Sequence, residues 1–251
     1  MQPSATIDHL LAERLRRVSG ARSHPHPSSI GPADLRALTA ASLADDLPAG
    51  QALCLDLQSR GASIRDILTD LVTPVARHLG ELWIDDDCDF VHVTVATDLL
   101  KRLVLTLADD LEVDAVDVDT APQILLVPVP GSQHTLGLVI VAAFFRQAQW
   151  DVTTVPQLTM DELRDLLCSD GFDVVGFSVG SAAHEPVLAR AVALVRSSGA
   201  NPGVPVLIGG AAVLDDPGLA ARVGADASSA DAQEALRIAT ELLRDLAAEP
   251  A

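Results

Sequence analysis

The sequence has no tyrosine, and aromatic residues make up only 3% of its 251 positions. A broad aromatic platform for stacking single-stranded nucleic acid is therefore not expected. Cations are few: 17 Lys+Arg stand against 35 Asp+Glu, for a formal net charge of -18. A polyanion needs a cationic footprint, and no stretch here supplies one, so direct binding to nucleic acid is not expected. A role in gene regulation through a protein partner stays open. Cysteine is scarce: Cys54, Cys88 and Cys168 form no CxxC pair. That speaks against a disulfide scaffold and a structural zinc site, and for the reducing cytoplasm. No apolar run reaches bilayer length and the start is mixed and polar, so neither a membrane span nor a secretory leader is expected.

What is present suits a folded chain. Hydrophobic residues reach 49%, enough to bury a core, and the length fits one large domain or two modest ones. Residues 1–17 carry a short helical pattern. Residues 19–32 (SGARSHPHPSSIGP) read as a linker that Pro25, Pro27 and Pro32 keep from being helical. A helix is expected from Pro32 or Asp34 to Leu47. Between 61 and 111, Ile64, Ile67, Leu68, Leu71, Val72, Val75, Leu79 and Leu82 recur at helical steps, with Pro74 interrupting them. A polar turn at 85–89 leads to a second helical pattern through Val95, Leu99, Leu103 and Leu107. Short connections favour antiparallel packing, so this half reads as a small helical bundle. The acidic stretch 112–120 reads as a linker. The organisation is a tail and linker over 1–33, a helical domain over 34–115 and a sheet domain over 122–251.

From Gln123 onward, short continuous apolar runs alternate with helical patterns. Strands are expected at 124–129, 152–155, 174–179, 204–208 and 225–229, each followed by a helix. Runs that do not alternate indicate a parallel sheet covered on both faces. Such doubly wound sheets take ligands outside the carboxyl ends of their strands. Three of those ends carry informative residues. After the first strand stands GSQHTLG, residues 131–137, where the neutral imidazole of His134 is a candidate transition-metal ligand. After the third stands SVGS, residues 178–181, a narrow slot of hydroxyls and glycine. After the fourth stands Gly209-Gly210, where absent side chains leave room for a ring. A histidine in such a loop is more often a capping or surface residue, and Gly-Gly is usually a turn. The first loop has neither GxGxxG spacing nor a Walker lysine, so it is not a nucleotide fingerprint.

Taken together, Ser132-Gln133-His134-Thr135-Leu136-Gly137, Ser178-Val179-Gly180 and Gly209-Gly210 resemble the three signatures of the cobalamin-binding domain, in order and at the right strand ends. The resemblance spans roughly residues 61–247. It implies a flavodoxin-like doubly wound five-stranded parallel sheet of order 2-1-3-4-5 behind an N-terminal helical bundle cap. It implies cofactor contacts from Ser132, His134, Gly137, Ser178, Gly180, Gly209 and Gly210, with His134 as the lower axial ligand of cobalt. The segment from Leu79 to Thr94 (LGELWIDDDCDFVHVT) is similar to the PpaA/AerR group of photosynthesis-gene regulators and the tetrapyrrole-binding domain of AppA. In that group the domain senses light, oxygen or tetrapyrrole status and alters a DNA-binding protein partner such as a repressor. Two departures bear on the cofactor. Ser132 stands where the family has the aspartate that supports the ligating histidine, which implies a weaker His134–cobalt bond. Gly180 replaces a bulkier residue and widens the slot. Cobalamin (adenosyl-, methyl- or hydroxocobalamin), haem and biliverdin therefore all stay in play.

In the helical half the resemblance implies that Trp83 covers the ring, with Phe90 supporting it. The alternative is Trp83 as a core anchor between two helices. His78 and His92 are candidate upper axial ligands, and packing or solvent exposure is the commoner fate of such histidines. The acidic turn at 85–89 has no calcium-loop spacing, so no metal is assigned to it. No nucleophile elbow of the GxSxG type is assigned, nor any pair of catalytic carboxylates. No catalytic residue is therefore expected. A corrinoid methyl-carrier subunit is the enzymatic alternative.

Overall fold

The computed structural model describes residues 30–109, 121–132, 135–169, 171–198 and 203–248. They belong to two compact units, divided between Leu107 and Ala108. The helix expected over 1–17, the linker over 112–120 and all but the last three residues of the linker over 19–32 lie outside the described residues.

In the first unit, helix α1 (Pro32–Leu43) starts at a proline whose missing N–H costs nothing at a helix start. The Gly31 N–H donates to the Asp34 carboxylate at 2.7 Å. The helix does not reach Leu47 as expected. Asp45 turns left-handed, with φ 52, and Asp46 then caps a new helix by accepting the Ala49 N–H at 3.0 Å. That helix, α2 (Leu47–Ser59), was not anticipated. Its Gly50 faces Leu38, Leu99 and Leu103, which a Cβ there would meet at ordinary contact distances of 3.7 to 3.8 Å. Helix α3 (Ile64–Asp66) opens with a capping box: Ser63 Oγ accepts the Asp66 N–H, and the Asp66 carboxylate accepts the Ser63 N–H. It continues through a π-helical segment (Ile67–Val72) into α4 (Thr73–Ile84). Pro74 is the physical reason. Proline has no N–H and its ring crowds the carbonyl four residues back, so the chain widens by one residue per turn just before it. The Thr73 N–H and hydroxyl both reach the Leu68 carbonyl. After the turn at 85–89 comes α5 (Phe90–Asp109), whose Ala96, Leu99, Leu100, Leu103 and Val104 are fully buried.

The second unit holds β1 (Gln123–Pro128), α6 (Leu136–Gln147), β2 (Asp151–Thr154), α7 (Met160–Ser169) and β3 (Val174–Ser178). These are followed by α8 (Glu185–Ser198), β4 (Val206–Gly209), the short helices α9 (Ala211–Asp215) and α10 (Leu219–Val223), β5 (Ala227–Ser229) and α11 (Ala232–Ala248). The five strands are all parallel in the order β2-β1-β3-β4-β5, the expected order. Side chains alternate along each strand, and both faces are buried. Leu125, Val127, Val175, Phe177, Val206 and Ile208 enter one core with Leu163, Leu188 and Val192. Ile124, Leu126, Val174 and Leu207 enter the other with Leu138, Phe145 and Ala239. Helices thus cover both faces, which is why the strands read as unbroken apolar runs. Phe145 and Trp150 pack edge to face at 5.0 Å. At the amino ends the strands are pinned by carboxylates: Asp173 accepts the Gln123 N–H at 2.7 Å, and Asp226 accepts the Val206 N–H at 2.6 Å. Among the described residues no helix is long and apolar enough to cross a membrane.

Phe145 is fully buried and holds Trp150 edge to face. Phe145→Ala is expected to cost about 3–5 kcal/mol in a urea melt, while Leu55→Ala at an exposed position changes stability by under about 0.5 kcal/mol.

Candidate functional site

The sheet reverses winding direction between β1 and β3, and the loops that leave those strands part at their carboxyl ends. The first loop begins with a tight turn. Val129 accepts the Ser132 N–H at 2.8 Å across Pro130 and Gly131. Proline suits the first corner of a type II turn, and Gly131, at φ 86, supplies the left-handed second corner. Ser132 is buried, as is Thr135 where the description resumes. His134 and Gln133 lie outside the described residues, so the expected lower ligand has no described geometry. Gly137, in the first turn of α6, is exposed, and the nearest atom to a side chain there would be the Ser178 hydroxyl, 4.0 Å away.

The other two loops are tied to the first by backbone hydrogen bonds. The Val129 N–H donates to the Ser178 carbonyl at 3.1 Å, and the Val179 N–H to the Gly209 carbonyl at 2.8 Å. The Ala212 N–H returns to the Val179 carbonyl at 3.2 Å. Gly210, at φ 109, makes that return possible: a Cβ there would sit 2.6 Å from the Val179 carbonyl oxygen. Gly209 lies against the hydroxyl of Ser229, its register partner on β5, at 3.1 Å from a built Cβ. Ser178, Gly180 and Gly209 are half-buried at the edge of the sheet. The structure thus brings Ser132, Gly137, Ser178, Gly180, Gly209 and Gly210 to one edge of one sheet. It adds Thr135 and Ser229, which sequence reading missed; the Ser228-Ser229 pair at the end of an apolar run was the available signal for the latter.

Residues 176–180 read Gly-Phe-Ser-Val-Gly, which does have GxSxG spacing and was passed over in the sequence. The structure shows why it is not a nucleophile elbow. Gly176 and Ser178 lie within β3, with Ser178 paired to Gly209, so there is no sharp strand-to-helix turn at the serine. Ser178 has no positive φ, and among the described residues its hydroxyl has no histidine partner.

An ion-pair network ties the same loops from outside. Arg222 on α10 donates from Nε and Nη2 to the two carboxylate oxygens of Glu185, each at 3.0 Å, and from Nη2 to Asp216 at 2.5 Å. Glu185 follows the loop after β3, and Asp216 follows the loop after β4. The hydrogen bonds from Arg222 hold both carboxyls below their ordinary pKa values.

In the helical unit the four candidate residues differ sharply. Trp83 is half-exposed and Phe90 more so; Trp83 is therefore not a core anchor between helices. His78 is buried. Its Nδ1 lies 3.7 Å from the Glu81 carboxylate, and its Nε2 has no hydrogen-bond partner. His92 is exposed, with its Nδ1 2.8 Å from the Asp89 carboxylate. Asp89 also accepts the His92 N–H at 2.9 Å and caps α5; these bonds hold its pKa below the usual carboxylate value. Burial pushes the Cys54 thiol up to about 11 and also raises Cys88, so both stay protonated at neutral pH and are poor metal ligands. Among the described residues, no group of three or more His, Cys, Asp or Glu is placed to hold a bare metal ion. A metal inside a macrocycle asks the protein for axial ligands only.

The carboxyl edge has the polar groups and open backbone to receive the polar part of a ligand. Its loops present the hydroxyls of Ser178 and Ser229 with no hydrogen-bond partner among the described residues, next to glycines that leave the backbone open. A doubly wound ligand-carrying domain of this kind is matched, over residues 122–239, by the family described as the B12 binding domain. The chain belongs to that family. It is 32% identical over 163 residues to an uncharacterised 20.5 kDa protein in the bchF-crtJ intergenic region of Rhodobacter capsulatus, covering 65% of this chain and 84% of that protein. The fold is that of the Methanosarcina barkeri monomethylamine corrinoid protein, with a TM-score of 0.68 and 16% identity over 82% of this chain and 96% of the other.

Two outcomes follow from the geometry of the edge. Gly210→Ala must adopt a left-handed backbone and push against a carbonyl, and is expected to cost at least about 2 kcal/mol, read by urea unfolding. Gly137→Ala meets nothing closer than 4.0 Å and leaves stability near wild type. The lowered Glu185 and Asp216 carboxyls add stability that is fully present above their ordinary values of 4.5 and 3.8 and is lost as pH falls through the lower folded values. In Arg222→Met that acid-sensitive share disappears, so thermal melts between neutral pH and about pH 3 fall less steeply on the acid side than in wild type.

Proposed function

We propose that this protein is a cobalamin-binding regulatory protein, responsive to light or redox state, that acts as an antirepressor or modulator of a DNA-binding partner. One observation carries the regulatory reading. The likeness to the bchF-crtJ intergenic protein runs over 163 residues, longer than the matched B12 domain, so it takes in sequence outside the binding domain as well. The resemblance of residues 79–94 to photosynthesis-gene regulators supports the same reading.

Bound cobalamin supplies a cobalt ion whose axial ligands change with light or oxidation. In this proposal His134 would ligate the metal. Ser178 and Ser229 would hydrogen-bond the tail of the cofactor, with Gly209 and Gly210 leaving room for it. Ser132 has no charge to sharpen the basicity of His134, which keeps that ligand exchangeable. His78 or His92 is the candidate upper ligand. His78 offers a buried Nε2 with no hydrogen-bond partner, and His92 offers Nε2 on an exposed ring whose Nδ1 is paired with the Asp89 carboxylate, the arrangement that raises ligand basicity. By the family resemblance, Trp83 and Phe90 would cover the ring. The output is a changed surface that binds or releases a repressor, without direct contact with nucleic acid.

The fold shared with the monomethylamine corrinoid protein favours a second reading, a corrinoid methyl carrier. The chain itself would then supply position and ligation, and a partner methyltransferase the chemistry.

The test is to purify the full chain with hydroxo-, methyl- or adenosylcobalamin, haem or biliverdin, in darkness and in light, and to record spectra and stoichiometry. Saturable binding of one cobalamin per chain is expected, with a spectral change on illumination or oxidation. His134→Ala is expected to lose the spectrum of the lower histidine ligand. Absence of saturable tetrapyrrole binding would sink the proposal; binding of haem or biliverdin alone reassigns the cofactor. Turnover of methylcobalamin with a methyltransferase would move the protein to the second reading.

A further inference from the structure

The turn between α4 and α5 carries an unusual surface. Among the described residues seven large hydrophobic side chains are exposed, and four of them lie between positions 83 and 91. Trp83 is 48% exposed, Ile84 77%, Phe90 67% and Val91 66%. Single exposed apolar residues need no explanation, but four within nine positions of one helix–turn–helix connection point to a contact surface. The turn itself is well built, so the exposure is not fraying. The Asp87 and Cys88 N–H groups both donate to the Leu82 carbonyl, at 2.9 and 3.1 Å, and Asp89 caps α5. Trp83 and Phe90 have a use in the cofactor reading. Ile84 and Val91, the next residue along each helix, have none.

The same turn is rimmed by one sign of charge. Asp85, Asp86, Asp87 and Asp89 are all exposed, and no Lys or Arg occurs between Arg77 and Lys101. This rim selects among occupants. A second copy of the chain would bring carboxylates against carboxylates. A membrane surface carries anionic lipids and would be repelled. A cationic protein segment satisfies both the apolar centre and the acidic rim, and a DNA-binding protein must carry cationic surface to hold phosphates.

We infer that the α4–α5 turn is the docking surface for the protein partner, and that it takes an amphipathic segment with apolar residues flanked by Lys or Arg. The identity of the partner as a DNA-binding protein rests on the proposed regulatory function; the chemistry of the docked segment rests on the turn. Ile84 and Val91 supply the apolar contact, and Asp86 and Asp87 the charge contact.

The probe is a synthetic helical peptide of Leu, Lys and Arg with one apolar face, compared with a scrambled peptide of equal composition. Binding to the full chain, with and without hydroxocobalamin, is followed by anisotropy of a label on the peptide. The amphipathic peptide is expected to bind saturably and more tightly than the scrambled one. Ile84→Ser/Val91→Ser, which leaves the charge unchanged, is expected to weaken it by about tenfold or more. Asp86→Asn/Asp87→Asn is expected to weaken it about fivefold at low salt and little at high salt, Asn being tolerated at the left-handed Asp86. Both variants are expected to keep the wild-type melting temperature and the wild-type cobalamin spectrum. Equal affinity of wild type and Ile84→Ser/Val91→Ser would overturn the inference, because binding would then be general attraction to an anionic protein. No peptide binding by wild type also overturns it, as does a wild-type dimer that Ile84→Ser/Val91→Ser converts to monomer in sedimentation. Failure of the cofactor reading shows separately, as absence of cobalamin binding in the same wild-type preparation.

Discussion

The backbone of Val179 is the constraint on which the carboxyl edge of the sheet depends. Its N–H donates to the carbonyl of Gly209 and its own carbonyl accepts the N–H of Ala212. One residue of the β3 loop therefore holds both sides of the β4 turn. The return bond requires the chain at position 210 to pass within touching distance of the carbonyl, in a backbone region that side chains rarely adopt. The glycine pair is thus a packing requirement first. The openness it leaves at the edge is what a ring or its tail can use. On the same footing, Val129 bonds to Ser178, so the loop that contains His134 starts from a fixed point.

The helical unit is organised by a different rule. Most of its interior is aliphatic and fully buried, so helix positions follow from leucine packing. Its irregular features include a π-helical segment ahead of Pro74, a buried imidazole with an orphan nitrogen at His78, and an exposed apolar turn rimmed by aspartates. Each is costly in a purely structural domain. A buried polar atom without a partner loses its hydration with no return, and exposed Trp, Ile, Phe and Val side chains keep water ordered around them. The last two lie between His78 and Val91, the stretch to which the proposed ligand and docking roles are assigned.

Much of the fold was legible in the residues. Parallel strands buried on both faces have no polar alternation, so Ile124 to Val129 and Val174 to Val179 announced a doubly wound sheet. The π-helical widening had its signal in Pro74. Other features were not legible. Helix α2 has no strong apolar period; it buries Gly50, Cys54 and Leu57, with Gly50 facing leucines that are distant in sequence. The break at Asp45 depends on a left-handed aspartate that propensity alone does not announce. In the site, the three signatures were visible as motifs. Ser229 was not, because its role comes from strand register with Gly209 rather than from neighbours in the chain. The GxSxG string was misleading in the opposite sense: the spacing is there, but strand pairing at Ser178 removes the turn that gives the motif its chemistry.

The scarcity of cations and the absence of tyrosine are properties of the sequence alone. With the order of the apolar runs they determined the sheet's class and set the expectation that nucleic acid is not bound unaided; the order of the strands was implied by the resemblance that the three motifs carry. Those features are local or additive, so no contact map is needed to read them. Only the tertiary structure decided which hydroxyls meet at the carboxyl edge, that Arg222 ties two of its loops together, that the Nε2 of His78 is buried without a partner, and that Trp83 stands at the surface. Each of these depends on residues far apart in the chain, or on how much solvent reaches a side chain, and neither follows from spacing along a sequence.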